Sequence, residues 1–261
     1  MKKTLTTLTI LIASVGMCLA QVMTPDWQTM KLKGEVKTLT TTYFIAKTVG
    51  DSITKGQKIK ATQKYTHSAS ERINFNGEGY IQGVTAADIN GKTSDYVEFK
   101  YNKHHLMDET VNYGHDKMLK NIKTYKYDDY GGVVLMRLYG KDKYMVNKTV
   151  FKLDREGNTV ELKQSDNNKK PLSSRKFAYD KNNNCISTMI FNPTKKLVMT
   201  LVSTFDEKNS LVKNITLDAN RQPSTSSTYT YKFDILGNWI ERTETKNGEP
   251  YVITVRDFIF Y

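Results

Sequence analysis

Three histidines are close enough in the sequence to suggest a metal site: His104, His105 and His115. Imidazole nitrogens bind zinc well, but a zinc site needs three or four ligands around a common centre. His104 and His105 are adjacent, so on a strand their side chains face opposite sides. No Cys or carboxylate nearby completes a convincing ligand spacing. We therefore expect exposed turn residues, and we predict no metal site and no cofactor.

Other residues that could do chemistry have structural interpretations. A glycosidase needs two carboxylates that converge on a sugar, and most acids here recur at the fixed interval described below. Glu109, Glu161 and Glu241 share one strand position and could line a face, although a surface position is the default. The glycine-rich segment NGEGYIQG, from Asn76, is not followed by a helix as a phosphate loop would be. Cys185 occupies a strand-start position that it shares with Ile81, Val133, Leu211 and Trp239, which favours packing. We nominate no catalytic residue and expect a non-enzymatic protein.

The sequence contains a repeat of 26 residues, which fixes the positions of many of the acidic and glycine residues considered above. An Asp or Asn recurs seven times at intervals of 26 residues, except for a last interval of 28. Its side chain can accept a hydrogen bond from the backbone two residues on. Three residues after it comes Gly, Asn or, once, His, and Gly and Asn tolerate positive φ. The pattern predicts type I hairpin turns closed by a left-handed residue. The seven anchors are Asn76, Asn102, Asp128, Asp154, Asp180, Asp206 and Asp234.

Strands are predicted on both sides of each turn. The residues one and three positions before each anchor are large and apolar, except for Ser203 beside Phe205. Their spacing places them on one face of a strand. The residues between them, such as Lys100, Lys126 and Lys152, face the other way. A second turn falls fourteen residues after each anchor, so each unit reads strand, turn, strand, turn.

The repeats predict an all-β antiparallel meander. The segment from Glu35 onward is also rich in β-branched and aromatic residues, which brings the total to about 14 to 17 strands. So wide a sheet must twist, curl or close, with the Tyr and Phe column inward and the lysines outward. The sequence leaves open a barrel-like closure, a superhelical curl or a sandwich-like collapse. No linker divides residues 21–261, so we predict one domain, with regular repeats over about 70–261.

The first twenty residues predict export. Two lysines, a short apolar stretch and small residues are typical of a signal peptide cleaved between Ala20 and Gln21. The apolar run is too short to span a bilayer. Lipidation at Cys18 is the alternative, although Met17 precedes it where such signals have a small residue. The mature chain would keep one cysteine, Cys185, and hence no internal disulfide. We expect a bacterial envelope protein that is periplasmic, on the outer-membrane surface or secreted.

The chain is basic, with a formal net charge of +12. Removing residues 1–20 takes away two lysines and no acid, so the charge falls to +10. The lysines are dispersed, and acids such as Glu241, Glu244 and Asp257 stand among them. A solvated face explains this pattern best and an anionic surface glycan comes next. We predict no nucleic-acid partner.

The repeat resembles a known family. The motifs YKYDDYG, FAYDKNN and above all YTYKFDILGNWIERT resemble the YD repeats of RHS-type proteins, in which a Tyr-Asp pair is followed by Gly and Asn. The resemblance covers about residues 70–261, and LKGEVKTLTTTYF near Leu32 is similar to the opening of short secreted YD-repeat proteins. It implies an all-β repeat fold and export. Large RHS proteins form a shell around a C-terminal toxin, which we do not expect here, whereas shorter relatives are regarded as carbohydrate- or surface-binding. The resemblance transfers no catalytic residue.

One residue of the repeat is assigned to ligand binding. Trp239 is the largest member of a strand-start position that elsewhere holds Ile, Met, Val, Thr, Cys and Leu. Our leading hypothesis is an exported, non-enzymatic β-repeat protein of the envelope that binds glycan or a protein partner. The alternatives are a polysaccharide-acting hydrolase and an outer-membrane β-barrel. Alternating strands and the final FIFY favour the barrel, whereas short turns and charges on both strand faces oppose it.

Overall fold

The computed structural model describes residues 25–60 and 68–261, so the predicted cleavage at Ala20 and Gln21 and the alternative at Cys18 lie outside the described residues. Within these two ranges no helix is long and apolar enough to cross a membrane. The elements are one helical turn and seventeen strands: α1 (Asp26–Thr29), β1 (Val36–Val49), β2 (Ser52–Lys58), β3 (Ser70–Phe75), β4 (Ile81–Ala87), β5 (Thr93–Tyr101), β6 (Met107–Gly114), β7 (Leu119–Tyr127), β8 (Val133–Gly140), β9 (Met145–Leu153), β10 (Thr159–Asp166), β11 (Pro171–Tyr179), β12 (Cys185–Phe191), β13 (Leu197–Phe205), β14 (Leu211–Leu217), β15 (Pro223–Phe233), β16 (Trp239–Lys246) and β17 (Glu249–Phe260).

The sheet closes into a barrel. Strands β3 to β17 pair with their neighbours in chain order, all antiparallel, and β1 then pairs with β17 on one edge and with β3 on the other. These sixteen strands form the barrel wall. The strand β2 lies outside this ring and pairs with the C-terminal half of β1, from Phe44 to Val49. Closure removes the unpaired edges that an open meander would expose, and it answers the question that the sequence left open.

The last residue helps to fix the closing seam. The backbone N–H of Tyr261 donates to the carbonyl of Glu35 at 3.0 Å. Its hydroxyl donates to the carbonyl of Phe75, at the end of β3, at 2.7 Å. One residue therefore ties the end of β17 to the start of β1 and to β3.

The repeat turns have the predicted geometry. At Asp234 a side-chain oxygen accepts the N–H groups of Leu236 (2.9 Å) and Asn238 (2.8 Å), and the N–H of Gly237 donates to the Asp234 carbonyl. The third residue after each anchor is left-handed, including His105 at φ 58°. The final interval of 28 residues arises because β15 has eleven residues, whereas β11 and β13 have nine each.

The barrel wall has the predicted inner and outer faces. Leu32, which precedes β1, packs with Leu39, Phe75 and Phe99 in one buried cluster. The aromatic column and the strand-start column lie on this inner face, although Phe233 is 41% exposed. The lysines between the aromatic positions are exposed on the opposite, outer face. Period-two alternation therefore separates a lumenal side from an outer side.

The antiparallel order places alternate turns at opposite ends of the barrel. The first mouth is formed by the anchor turns, at residues 76–80, 102–106, 128–132, 154–158, 180–184, 206–210 and 234–238. The second mouth is formed by seven turns, beside the β1–β2 turn at residues 50–51: residues 88–92, 114–118, 140–144, 166–170, 192–196, 218–222 and 246–249.

The N-terminal segment 25–35 crosses the first mouth. The N–H of Trp27 donates to the carbonyl of Gly79 at 3.2 Å. The ammonium of Lys31 reaches the side chain of Asn184 at 3.4 Å, and the N–H of Lys33 donates to Asn238 at 2.7 Å. These contacts join turns that are far apart around the ring, so the segment lies over this end of the lumen.

Candidate ligand site in the barrel lumen

Trp239, the residue that the sequence assigned to ligand binding, is the first residue of β16 and lies on the inner face. Its ring meets the ring of Tyr231 edge-on, with the centroids 6.0 Å apart. The guanidinium carbon of Arg256 lies only 3.6 Å from the centre of the Trp239 ring, and that of Arg242 lies at 5.5 Å. The structure therefore places Trp239 between an aromatic residue and two cations.

The register of the closing strands brings these residues together. Tyr231 pairs with Arg242, Arg242 pairs with Thr254, and Thr254 pairs with Tyr43. One lumenal row thus runs across β15, β16, β17 and β1. Arg256 stands two residues beyond Thr254 and therefore shares its face. We call Trp239, Arg242, Arg256, Tyr231 and Tyr43 the lumenal cluster.

Neither arginine of the cluster is neutralised by an acid. Among the described residues, no carboxylate forms an ion pair with Arg242 or Arg256. The Nε atoms of both are buried and have no hydrogen-bond partner within the described chain. Burial and the charge of Arg242 lower the pKa of Arg256 to about 9. Buried charges are normally paired, so the guanidinium groups of Arg242 and Arg256 can accept an anion as their partner.

The buried acid beside the cluster is itself poorly ionised. Tyr43 donates a hydrogen bond to the carboxyl of Glu71 at 3.3 Å. Burial raises the pKa of Glu71 to about 7, despite the opposing effect of this hydrogen bond. Burial and the neighbouring charge of Glu71 raise the pKa of Tyr43. Near neutral pH Glu71 is therefore partly protonated and supplies only part of a negative charge.

A polar wall continues from the cluster along β15, β14 and β13. The guanidinium of Arg242 also lies over the ring of Tyr229, at 5.2 Å. The side-chain amide of Asn214 donates to the hydroxyl of Tyr229 at 3.3 Å, and Ser203 donates to Asn214 at 2.8 Å. Ser203, the residue that interrupts the aromatic column, thus contributes a hydroxyl to the lumen.

The candidate metal ligands are separated. His104 and His105 lie in a turn of the first mouth, whereas His115 lies in a turn of the second mouth, and all three are exposed. The ring of His105 stacks on Tyr80 with centroids 4.9 Å apart, and its Nδ1 lies 3.6 Å from a carboxylate oxygen of Glu78. Over residues 25–60 and 68–261 no three His, Cys, Asp or Glu side chains are arranged to hold an ion.

The carboxylates of the shared strand position lie on the outer face. Glu109 forms an ion pair with Lys100 at 2.9 Å. Glu161 pairs with Lys163 at 2.9 Å. Glu241 pairs with Lys232 at 2.7 Å and with Lys55 at 3.2 Å. The outer wall is therefore charged in several places along its strands.

Cys185 is half-buried at the start of β12, on the inner face. Its thiol donates to the carbonyl of Ser187 at 3.5 Å and lies 3.6 Å from the hydroxyl of Thr188. These neighbours are uncharged.

Sequence reasoning singled out Trp239, whose role in ligand binding stays a prediction, and it did not single out four residues that lie near it: Arg242, Arg256, Tyr43 and Glu71. The two arginines lie outside the columns that the repeats share. A signal was present in β17, where Val252, Thr254 and Arg256 alternate and so share a face. The register between β1 and β17, which brings Tyr43 to the two arginines, has no local signature.

Comparisons with known proteins bear on the fold. No protein-family model and no curated protein matches the chain. A porin-like protein from Bacteroides uniformis superposes with a TM-score of 0.53 at 11% sequence identity, covering 87% of this chain and 98% of that chain. A porin-like protein from Bacteroides vulgatus matches at 8% identity with a TM-score of 0.40, covering 87% of this chain and 98% of that one. The TcdB2-TccC3-Cdc42 structure matches at 14% identity with a TM-score of 0.34, and the alignment covers 82% of this chain but 11% of the other.

The first match shows a shared fold. At 11% identity the likeness concerns architecture alone. The chain therefore has a closed all-β barrel like that of a porin-like protein. This agrees with the barrel architecture that was an alternative in the sequence analysis.

Proposed function

We propose that this protein is an exported β-barrel of the bacterial envelope that binds an anionic glycan in its lumen, without catalysis. One observation carries the proposal: Arg242 and Arg256 lie against Trp239 inside the barrel, with no acid of the described chain to neutralise them. Guanidinium groups bind carboxylate, sulfate and phosphate through paired hydrogen bonds. The aromatic rings of Trp239 and Tyr231 add flat apolar surface with polar edges.

An acidic sugar suits the cluster better than a neutral one. A neutral glycan would leave the buried guanidinium of Arg256 and the half-buried guanidinium of Arg242 without a counter-charge, which is costly in a poorly hydrated site. An inorganic anion would neutralise the arginines but leave the aromatic surface unused. A sugar that bears a carboxylate or sulfate satisfies both requirements.

The location in the envelope rests on three supports. The N-terminal residues predict export, and the YD-repeat resemblance, which we retain as part of the proposal, implies secretion as well. The barrel is like that of a porin-like protein of a Bacteroides species. The ion pairs of the outer wall, such as Lys100 with Glu109, suit a wall that faces water.

Binding of purified protein to defined oligosaccharides tests the proposal. We expect calorimetry to show binding of tetragalacturonate and at least about tenfold weaker binding of cellotetraose, because one charged contact contributes 1.5 kcal/mol or more. Trp239→Ala and Arg256→Met should each weaken tetragalacturonate binding at least about tenfold. Arg137→Met, which removes an arginine from the outer wall, is the matched control and should bind as the wild type does.

Three results would contradict the proposal. Equal affinity for the two oligosaccharides would show that charge does not contribute to binding. Undiminished binding by both Trp239→Ala and Arg256→Met would show that the sugar binds outside the lumenal cluster. No binding of either sugar would reject an acidic-glycan site. Reducing ends measured after incubation should stay constant, and their increase would favour the hydrolase alternative.

A second candidate function is a pore in the outer membrane, and the porin-like barrel supports it. A membrane-spanning barrel presents an apolar outer band about 25 Å tall, whereas this wall carries pairs such as Lys232 with Glu241. The segment 25–35 also lies across the first mouth. Retention of the protein in membranes after carbonate extraction, together with conductance in planar bilayers, would favour the pore. Release into the soluble fraction would favour the water-facing barrel.

A further inference from the structure

The two mouths of the barrel differ in charge. The seven turns of the second mouth contain ten Lys and Arg residues against six Asp and Glu, a net charge of +4. The seven turns of the first mouth contain four Lys and Arg against nine Asp and Glu, a net charge of −5. The barrel is therefore electrically polarised along its axis, although the whole chain is basic.

The basic residues of the second mouth recur at one fixed place. Five turns in succession have a Lys or Arg at the left-handed position, each exposed and each with φ between 59° and 66°. This conformation is unfavourable for residues with a long side chain. The equivalent position of the first mouth is filled mainly by Gly and Asn, which adopt it easily. The second mouth thus has a Lys or Arg at the left-handed turn position, where the backbone conformation favours Gly or Asn. These basic ring residues are Lys117, Lys143, Lys169, Lys195 and Arg221.

The ring residues are arranged for contact with a flat surface. Successive members are separated by two strands, about 10 Å across the sheet, and they span the turns from β6–β7 to β14–β15. They therefore lie along an arc that covers about half of the barrel circumference, at one end. Such an arc can approach a plane with all five charges at once, whereas a linear polymer would follow only part of it.

We propose that the second mouth docks end-on onto an anionic membrane surface, with the basic ring residues against the lipid headgroups. A Lys or Arg near an anionic bilayer strengthens binding about fivefold, and five of them act together. Met118 and Tyr144, which follow Lys117 and Lys143, are 65% and 76% exposed and can enter the interface. The first mouth also exposes apolar residues, such as Tyr130 and Ile235, so charge is what distinguishes the two ends.

This docking is independent of the lumenal site. The ring residues lie in turns, whereas Trp239 and Arg256 belong to strands on the inner wall. The ring can bind a surface whether or not the lumen holds a ligand. Failure of either proposal therefore leaves the other open to its own test.

Co-sedimentation with vesicles tests the docking. The exported protein is mixed with phosphatidylcholine vesicles that contain about one third phosphatidylglycerol, or none, at low salt and at about 0.5 M salt, where charges are strongly screened. The test variant replaces all five ring residues with Asn, which occupies the same left-handed conformation at Asn183 and Asn209. The control replaces five outer-wall lysines with Gln and so removes the same total charge: Lys126, Lys148, Lys152, Lys176 and Lys213.

We expect the wild type and the control to sediment with anionic vesicles at low salt and to be released at high salt. The ring variant should bind at least about 100-fold more weakly, and no form should bind neutral vesicles. If the control lost as much vesicle binding as the ring variant, total charge alone would explain the loss, and the role of the basic ring residues would be overturned. Undiminished binding by the ring variant, or binding of the wild type to dextran sulfate but not to vesicles, would also overturn the proposal. Salt release of the wild type provides a test that does not depend on folding of the variant.

Discussion

The guanidinium carbon of Arg256 lies 3.6 Å from the centre of the Trp239 ring, inside a closed barrel and without an acidic partner in the described chain. Arg256 is 6% exposed, so little water can compensate for its charge. A cation over an indole ring is favourable by about 2 kcal/mol when desolvated, whereas the effective penalty for burying an ion is several kcal/mol. The cost of burying the charge thus exceeds the gain from the indole ring, so stability alone does not explain Arg256 at this place. This supports a role of Arg256 in binding.

Replacing Arg256 should stabilise the protein while it weakens ligand binding. Arg256→Met keeps much of the side-chain volume and removes the buried charge. We expect the free energy of unfolding in urea to rise by about 1 to 2 kcal/mol. Arg256→Lys, which keeps a charge but loses the planar group, should show no such gain. If Arg256→Met lowered the free energy of unfolding by about 3 kcal/mol or more, the charge of Arg256 would have a stabilising partner in the wild type and would already be neutralised in the lumen.

The buried Glu71 should make stability fall as the pH rises. Its pKa in the folded state is about 7, above the ordinary value of 4.5, so the folded protein binds the proton more tightly. This contribution is complete below about pH 4.5 and is lost as the pH rises through 7. We expect the free energy of unfolding to decrease by up to about 3 kcal/mol between pH 5 and pH 8.

Substitution of Glu71 isolates this effect. Glu71→Gln should flatten the decline measured by urea denaturation at several pH values, because the amide does not titrate. Glu109→Gln on the outer wall is the control and should leave the slope unchanged. The titration of Arg256, with a pKa of about 9, falls above this window. A wild-type stability that does not fall between pH 5 and pH 8 would show that Glu71 is ionised throughout.

Asn238 should hold the N-terminal segment over the first mouth. Its amide donates to the carbonyl of Lys33 at 3.0 Å and its oxygen accepts the N–H of Lys33 at 2.7 Å. Asn238→Ala leaves both backbone groups without these partners, at a cost of about 1 to 3 kcal/mol each if they stay buried. We expect faster hydrogen exchange in residues 32–36. Asn158→Ala, whose amide bonds Asp154 and Asn183 instead, should leave exchange there unchanged. Equal acceleration in both variants would indicate general loosening of the mouth.

Of the glycines in the repeat turns, only those with positive φ should be sensitive to substitution by alanine. Gly237 has φ 88° and nothing within 4 Å of an added Cβ, so Gly237→Ala meets strain in the backbone alone. We expect a loss of about 1 to 2 kcal/mol in the free energy of unfolding. Gly77 has equal space but no positive φ, and Gly77→Ala should be neutral or slightly stabilising. Similar losses at the two positions would exclude φ as the cause.

The turns and faces could be predicted from sequence because their causes are local. Asp234 and Gly237 define a turn within four residues, and Tyr231 and Phe233 share a face because strand side chains alternate. The same columns carry the YD-repeat resemblance, which remains a prediction. Glycan binding and the absence of enzymatic activity also remain predictions.

The site was only partly predictable. Trp239 was distinguished by its size within a repeated column. Its neighbours were not: Arg256, on the adjoining strand β17, lies outside the repeated columns, and Tyr43 comes from β1 at the other end of the chain. The pairing of Tyr43 with Thr254 places them on one lumenal row.

The sequence by itself determined the antiparallel meander of about 14 to 17 strands, the turn chemistry and the inner and outer faces, since each depends on residues a few positions apart. Tertiary structure decided that the sheet closes, because closure depends on the register between Val36 and Phe260 and on the stagger accumulated over all strands. Closure in turn brought Tyr43 and Glu71, from β1 and β3, to the β16–β17 hairpin that carries Trp239, Arg242 and Arg256, and it arranged the basic ring residues in an arc at the second mouth. These groupings arise from a circle of strands, and no single repeat contains them.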